Sequence, residues 1–157
     1  MVLFKSTTRL SSIEMPVVLT QTDTTVGFLS QDAQKLCDIK SRPSSKPFIR
    51  VYKDFKSFTD DGRRAPKKRK KLIRRSKKTT FIVGNFSFRI AKTPLYSQLF
   101  RNTPWFYSTS ANKSGECFER LFCEEKADII IEDSNRLSEN SASKVIKINI
   151  KRWRRLR

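Results

Sequence analysis

Along the 157 residues the spacing of apolar and polar positions changes repeatedly, and the changes predict alternating strands and helices. Pro16-Val17-Val18-Leu19-Thr20 is a short β-branched run, read as a buried strand. It ends in Gln21-Thr22-Asp23-Thr24-Thr25-Val26-Gly27, where turn capping and a polar substrate wall are equally good readings. Ala33, Leu36, Cys37 and Ile39–Lys40 recur at helical spacing, predicting a helix over 31–41 with Ser30 as its N-cap. It must stop near Arg42, because Pro43 disfavours α geometry in the residue before it. Phe48–Tyr52 reads as a strand, and Asp54 starts a short helix through Phe58.

Farther along, Thr79–Val83 and Phe86–Ile90 flank Gly84-Asn85 and predict a β-hairpin. In its second strand Phe86, Phe88 and Ile90 share one face, which leaves Arg89 on the other, free to point into a cleft. Pro94 suits the first turn of a helix through about Arg101. A strand over 105–109 then runs into Ser108-Thr109-Ser110-Ala111-Asn112-Lys113-Ser114-Gly115, a polar turn before a helix over Glu116–Glu125. Asp128–Ile131 and Lys144–Ile148 are further strands, while residues 1–15 are polar and unpatterned. There is no internal repeat. The expectation is one α/β domain over 1–157, core about 16–150, with a mixed sheet that includes at least one antiparallel hairpin.

Charge alters this picture most. Lys and Arg number 34 against 15 acids, a formal charge of +19, which favours encounters with polyanions. Much of it sits in an insert over 61–78, where Arg63–Lys78 holds eleven Lys and Arg and no acid. Self-repulsion predicts a mobile loop or short basic helix there, held against a polyanion such as RNA through Lys67, Lys68, Arg69, Lys70, Lys71, Arg74 and Arg75. The tail 151–157 adds five cations around Trp153, compatible with RNA backbone and base stacking. The chain has no histidine and no close cysteine pair, which excludes a zinc site, a His-based triad and a His general base, and no protein-bound metal is expected. No apolar run approaches the roughly 20 residues of a membrane span, and no signal peptide is evident. A cytoplasmic protein with reduced thiols and no membrane partner is expected.

Two polar stretches carry candidate chemistry. Ser108–Gly115 gathers four hydroxyls, a carboxamide and a glycine behind Trp105-Phe106-Tyr107, a pattern that serves an ordinary loop or an anion site. Lys40, Arg42 and Lys46 lie at a helix C-terminus and in a proline-framed loop. The helix dipole alone favours cations there, and so does placement against a phosphate.

Four segments in order resemble the YrdC/TsaC family of threonylcarbamoyl-adenylate synthases. They are Thr22-Asp23-Thr24 through Gly27; Lys40-x-Arg42-Pro43 with Pro47; Thr80 followed by Arg89-Ile90 and Pro94; and Ser108-x-Ser110-Ala111-Asn112-x-Ser114-Gly115. Ser143-Lys144-Val145 resembles a fifth. The resemblance implies an open twisted mixed parallel/antiparallel sheet with helices packed on it. It also implies an enzyme making threonylcarbamoyl-AMP and pyrophosphate from threonine, bicarbonate and ATP, a step towards threonylcarbamoyladenosine in tRNA. Lys40 and Arg42 are then the catalytic cations, and Lys40, Arg42, Lys46, Thr80, Ser108, Ser110 and Asn112 bind ATP, with Mg²⁺ carried by the nucleotide. Thr22, Arg89 and Ser143 hold threonine. Transfer proteins for tRNA threonylcarbamoylation become partners, with tRNA or double-stranded RNA a further one.

In places the sequence departs from the family. Thr20-Gln21 stands for the usual tyrosine-proline, Val26 for a tyrosine, and Ser76-Lys77-Lys78 for Pro-Gly-Pro. The alternatives to the synthase are a non-catalytic RNA-binding module and a regulatory paralogue that binds nucleotide without making adenylate. On the synthase reading, Lys40→Ala is expected to abolish activity with a nearly unchanged melting curve.

Overall fold

In the computed structural model the described residues are 15–41, 43, 47–92, 99–132 and 136–157. They group into two compact units, Met1–Phe48 with Tyr107–Ser141, and Ile49–Phe106 with Ala142–Arg157. Both carry mixed parallel and antiparallel strands with helices packed on them, as expected of an open α/β sheet.

The first unit orders its strands β7-β1-β2-β6. Here β1 is Val18–Gln21, β2 Val26–Ser30, β6 Trp105–Ser110 (from Tyr107 in this unit) and β7 Ile129–Ile131. β1 and β2 form an antiparallel hairpin, with Gln21 opposite Val26. β7 adds in parallel to β1, and β6 lies antiparallel to β2, Gly27 facing Ser110 and Leu29 facing Ser108. Helix α1, Ala33–Lys40, lays Leu36 and Cys37 on a core with Leu19, Val26, Phe28 and Ile130, joined by Cys123 of helix α4, Arg120–Lys126.

Several boundaries differ from those expected. The α1 N-cap is Asp32, whose carboxylate accepts from Gln34 N at 2.8 Å; Ser30 ends β2, and its Oγ accepts from Asp32 N at 3.1 Å. β2 was not anticipated as a strand. Its five residues are all buried, so no alternation marks it. β6 runs one residue past the expected 109, to Ser110, and α4 starts at Arg120 rather than Glu116. The helix expected to open at Pro94 falls largely outside the described residues.

The second unit orders its strands β3-β5-β4-β8-β9. These are β3 Ile49–Tyr52, β4 Thr79–Val83, β5 Phe86–Ile90, β8 Lys144–Ile148 and β9 Trp153–Arg155. The β4–β5 hairpin closes through Gly84-Asn85 as expected, with Gly84 at φ 59°. β3 runs parallel to β5, β8 parallel to β4, and β9 antiparallel to β8. Helix α2, Phe55–Asp60, is capped by Asp54, which accepts from Ser57 N at 2.7 Å. The basic insert is ordered as a 3₁₀ turn, Lys67–Arg69, running into helix α3, Lys70–Arg75. Its anchor is Ile73, fully buried with Phe55, Phe58, Phe81, Phe88, Ile146 and Ile148. The tail forms an exposed edge strand, which its charge had hidden.

Candidate functional site

Residues expected to act together fall into two clusters, one in each unit. In the first, Lys40 is three and four residues beyond Cys37 and Leu36, so it continues the buried stripe of α1 at its last turn. Its stem is covered, leaving the residue 5% exposed, and its ammonium reaches β6 and the turn after it. Nζ donates to Ser110 O at 3.2 Å, Asn112 O at 2.5 Å and Asn112 Oδ1 at 2.6 Å. Ser110 Oγ also donates to Asn112 Oδ1 at 2.7 Å, and Asn112 Nδ2 donates to Glu116 O. Ala111 N donates to Val26 O at 2.9 Å and ties the turn to β2. An ammonium has three N–H donors, and three oxygens surround this one. These bonds make Lys40 a strut for the Ser110–Asn112 turn, the same residue that sequence reasoning expects as a cation for the nucleotide phosphates.

Thr22 serves its own turn. Its Oγ1 donates to Thr25 O at 2.7 Å and accepts from Thr24 N and Thr25 N, both at 3.2 Å. One donor and two lone pairs are thereby occupied. The glycine of the same motif has a steric cause. A Cβ on Gly27 would lie 2.7 Å from Thr22 Cγ2 and 3.2 Å from Thr109 O, so β6 approaches β2 closely only because residue 27 has no side chain. Ser108 and Ser110, two apart on β6, share the sheet face of Gly27. Thr20, opposite Gly27 on β1, adds a hydroxyl to that face; it is fully buried and has no hydrogen-bond partner among the described residues. Sequence reasoning passed over Thr20 as the end of a strand. Arg42 and Lys46 lie outside the described residues.

In the second unit, Phe81 of β4 pairs with Phe88 of β5, and both face the core under α2 and α3. Strand alternation sends their neighbours Thr80 and Arg89 to the opposite face. There Arg89 Nη2 donates to Thr80 Oγ1 at 3.1 Å, and Thr80 Oγ1 lies 3.1 Å from Ser143 Oγ. All three are buried, Arg89 at 7% exposure. The sequence expectation grouped Thr80 with the nucleotide; the fold sets its hydroxyl between the two residues expected for threonine.

A third group roots the basic insert. Arg50 donates to Asp61 Oδ2 at 2.7 Å, the Tyr52 hydroxyl donates to the same oxygen at 2.5 Å, and Arg63 Nε lies 3.5 Å from it. Burial, then the hydrogen bond to Asp61, pushes the Tyr52 phenol up to about 12. Burial pulls the Asp61 carboxyl upward, but the Tyr52 and Arg50 hydrogen bonds and the Arg50 charge outweigh it and hold the pKa below the ordinary carboxylate value. Arg50 also stacks over the Trp105 ring at 4.0 Å and Arg63 over Phe86 at 4.1 Å. Of the residues expected to bind RNA, Lys67, Lys68, Lys71, Arg74 and Arg75 are exposed, and Arg69 and Lys70 partly so.

Fold and site together define an α/β protein with strand-borne hydroxyls and, among the described residues, one buried arginine and one buried lysine. Among the described residues no helix is long and apolar enough to cross a membrane. The chain belongs to the Sua5/YciO/YrdC family, whose model, described as telomere recombination, matches residues 16–157. Among solved structures it is similar to P. abyssi Sua5 complexed with L-threonine, at 18% identity and a TM-score of 0.72, covering 90% of this chain and 50% of that one. The MTH1692 protein from Methanobacterium thermoautotrophicum is similar at 18% identity and a TM-score of 0.66, over 90% of this chain and 79% of that one. Full-length HypF in its phosphate- and nucleotide-bound form is similar at 15% identity and a TM-score of 0.75, over all of this chain and 25% of that one. The chain thus spans about half the length of the Sua5 protein it matches. No curated protein matches the sequence.

Proposed function

We propose that the chain makes threonylcarbamoyl-AMP and pyrophosphate from L-threonine, bicarbonate and ATP. The observation that carries this reading is the buried Arg89–Thr80–Ser143 cluster. A guanidinium held among hydroxyls suits a small carboxylate, which it can grip in bidentate fashion. Similarity to a Sua5 that binds L-threonine supports that ligand. Arg89 takes the threonine carboxylate, with Thr80 and Ser143 beside it. In the first unit Ser108, Ser110 and Asn112 hold ATP on a turn set by Lys40, and Arg42 and Lys46 supply charge for the phosphates. Thr22 contributes by shaping the β1–β2 turn.

Threonine's amine first takes up bicarbonate carbon as a carbamate, with loss of water. A carbamate oxygen then attacks the α-phosphorus of ATP, and the bond to the β-phosphate oxygen breaks, releasing pyrophosphate. Charge builds on phosphoryl oxygens, so placed cations, hydroxyls and nucleotide-borne Mg²⁺ suffice without a histidine base. The adenylate passes to proteins that transfer threonylcarbamoyl to tRNA.

Purified protein given threonine, bicarbonate, Mg²⁺ and ATP is expected to release pyrophosphate only when threonine is present. Folded protein with no threonine-dependent release defeats the proposal and leaves the non-catalytic alternatives. Arg89→Lys keeps the charge but loses the fork, and is expected to raise the KM for threonine about tenfold or more.

A further inference from the structure

The β8–β9 hairpin carries features that neither the threonine cluster nor the Lys40 turn uses. Five large apolar side chains stand exposed among the described residues, and three of them lie here: Ile150 at 80%, Trp153 at 50% and Leu156 at 50% exposure. Around them Lys151, Arg152, Arg154, Arg155 and Arg157 are all exposed, and none pairs with an acid among the described residues. The hairpin is nonetheless firmly held. Asn149 N donates to Arg152 O at 3.0 Å, and Asn149 Oδ1 accepts from Lys151 N at 3.0 Å and Arg152 N at 2.7 Å, which sets the turn. At the other end Val145 N donates to Arg157 O at 3.0 Å, and Arg157 Nε donates to Ser143 O at 3.1 Å.

β9 is the last strand of the sheet order, so its outer side has no strand beside it among the described residues. The bonds from Asn149 N to Arg152 O and from Leu156 N to Val145 O, at 2.8 Å, turn the backbone of residues 152 and 156 inward. Antiparallel alternation then turns the N–H and C=O of Trp153 and Arg155 outward, to the open edge. Side chains alternate across the two faces at the same time. Trp153 and Arg155 project from one face, Arg154 and Leu156 from the other.

We propose that this edge binds an extended, acidic segment of a protein partner, which adds to the sheet as a further strand beside β9. The partner's backbone pairs with Trp153 and Arg155, its carboxylates meet the arginines, and its apolar residues pack on Trp153 and Leu156. Exposed tryptophan and arginine are the side chains that most often anchor a protein interface. A phosphate backbone offers no N–H to the outward carbonyls, so it leaves half of the edge unused. A second copy of this chain would set five cations of one edge against five of the other, which is destabilising. The assignment is independent of adenylate synthesis.

The test is fluorescence anisotropy on the full chain with a labelled peptide of about ten residues that mixes Glu with Val and Thr. It is expected to bind saturably and more weakly as salt rises. The same peptide N-methylated at two adjacent central residues keeps its charge but loses an N–H from each of its edges. It should bind at least about tenfold more weakly. On the protein, Trp153→Ala should weaken binding about tenfold, and so should the triple variant Lys151→Gln, Arg152→Gln, Arg154→Gln. Arg155→Pro removes an outward N–H and leaves the bonds to β8 in place, so it should bind more weakly than Arg155→Gln, which removes only the charge. Should Arg155→Pro misfold, the N-methylated peptide still tests the backbone pairing against the wild-type chain. The proposal is overturned if the peptide does not bind, or if its N-methylated form binds equally well. It is equally overturned if polyglutamate competes as well as the mixed peptide, which leaves charge alone, or if sedimentation shows copies of the chain pairing through β9 in place of the peptide.

Discussion

Replacing Lys40 by alanine tests whether the ammonium is a strut or a free cation. The residue is 5% exposed, so solvent screens its contacts little. Removing it strips a charge-assisted donor from two carbonyls and from Asn112 Oδ1, which keeps only the bond from Ser110 Oγ. Hydrogen bonds to charged groups contribute about 1.5–3 kcal/mol each and are not additive, so a net loss of about 2–4 kcal/mol is expected. For a chain of this length that lowers Tm by about 5–15 °C. Lys40→Met, which keeps the stem, should recover only the packing part. Calorimetry or far-UV circular dichroism at neutral pH measures both variants. If Lys40→Ala melts within about 1 °C of wild type, the strut is wrong, and any lost activity belongs to a phosphate-binding cation, as sequence reasoning expects.

Two other perturbations follow from the geometry. Gly27→Ala drives a methyl to within 2.7 Å of Thr22 Cγ2 and is expected to cost about 1–3 kcal/mol. Thr22→Ser removes the clashing methyl and keeps the hydroxyl, so the double variant should regain part of that loss in a denaturant melt; strictly additive losses would refute the contact. Asp61 has a lower carboxyl pKa folded than its ordinary 3.8, so the folded state prefers the ionised form. Its stabilisation is complete above that ordinary value and is lost as pH falls through the depressed folded one. Urea midpoints of wild type should therefore drop more steeply than those of Asp61→Asn below pH 4, and parallel curves would remove the clasp from the account.

The β4–β5 hairpin was legible because period-two alternation and Gly-Asn are local signals, and α1 because its stripe repeats at helical spacing. The motif residues were legible as a set, and three of them, Thr80, Arg89 and Ser143, meet in one hydrogen-bonded cluster. Other features lie beyond local pattern. β2 is uniformly buried and β9, a tryptophan followed by two arginines, uniformly exposed, so only pairing with β1, β6 and β8 makes them strands. Local order in the chain determined that Lys40 ends a helix; what it touches was decided 70 and 72 residues away. Alternation in the sequence likewise set Arg89 apart from Phe88. Only the packing of α2 and α3 decided that the basic insert covers the Phe88 face, because which face a helix covers depends on where it finds apolar surface to bury.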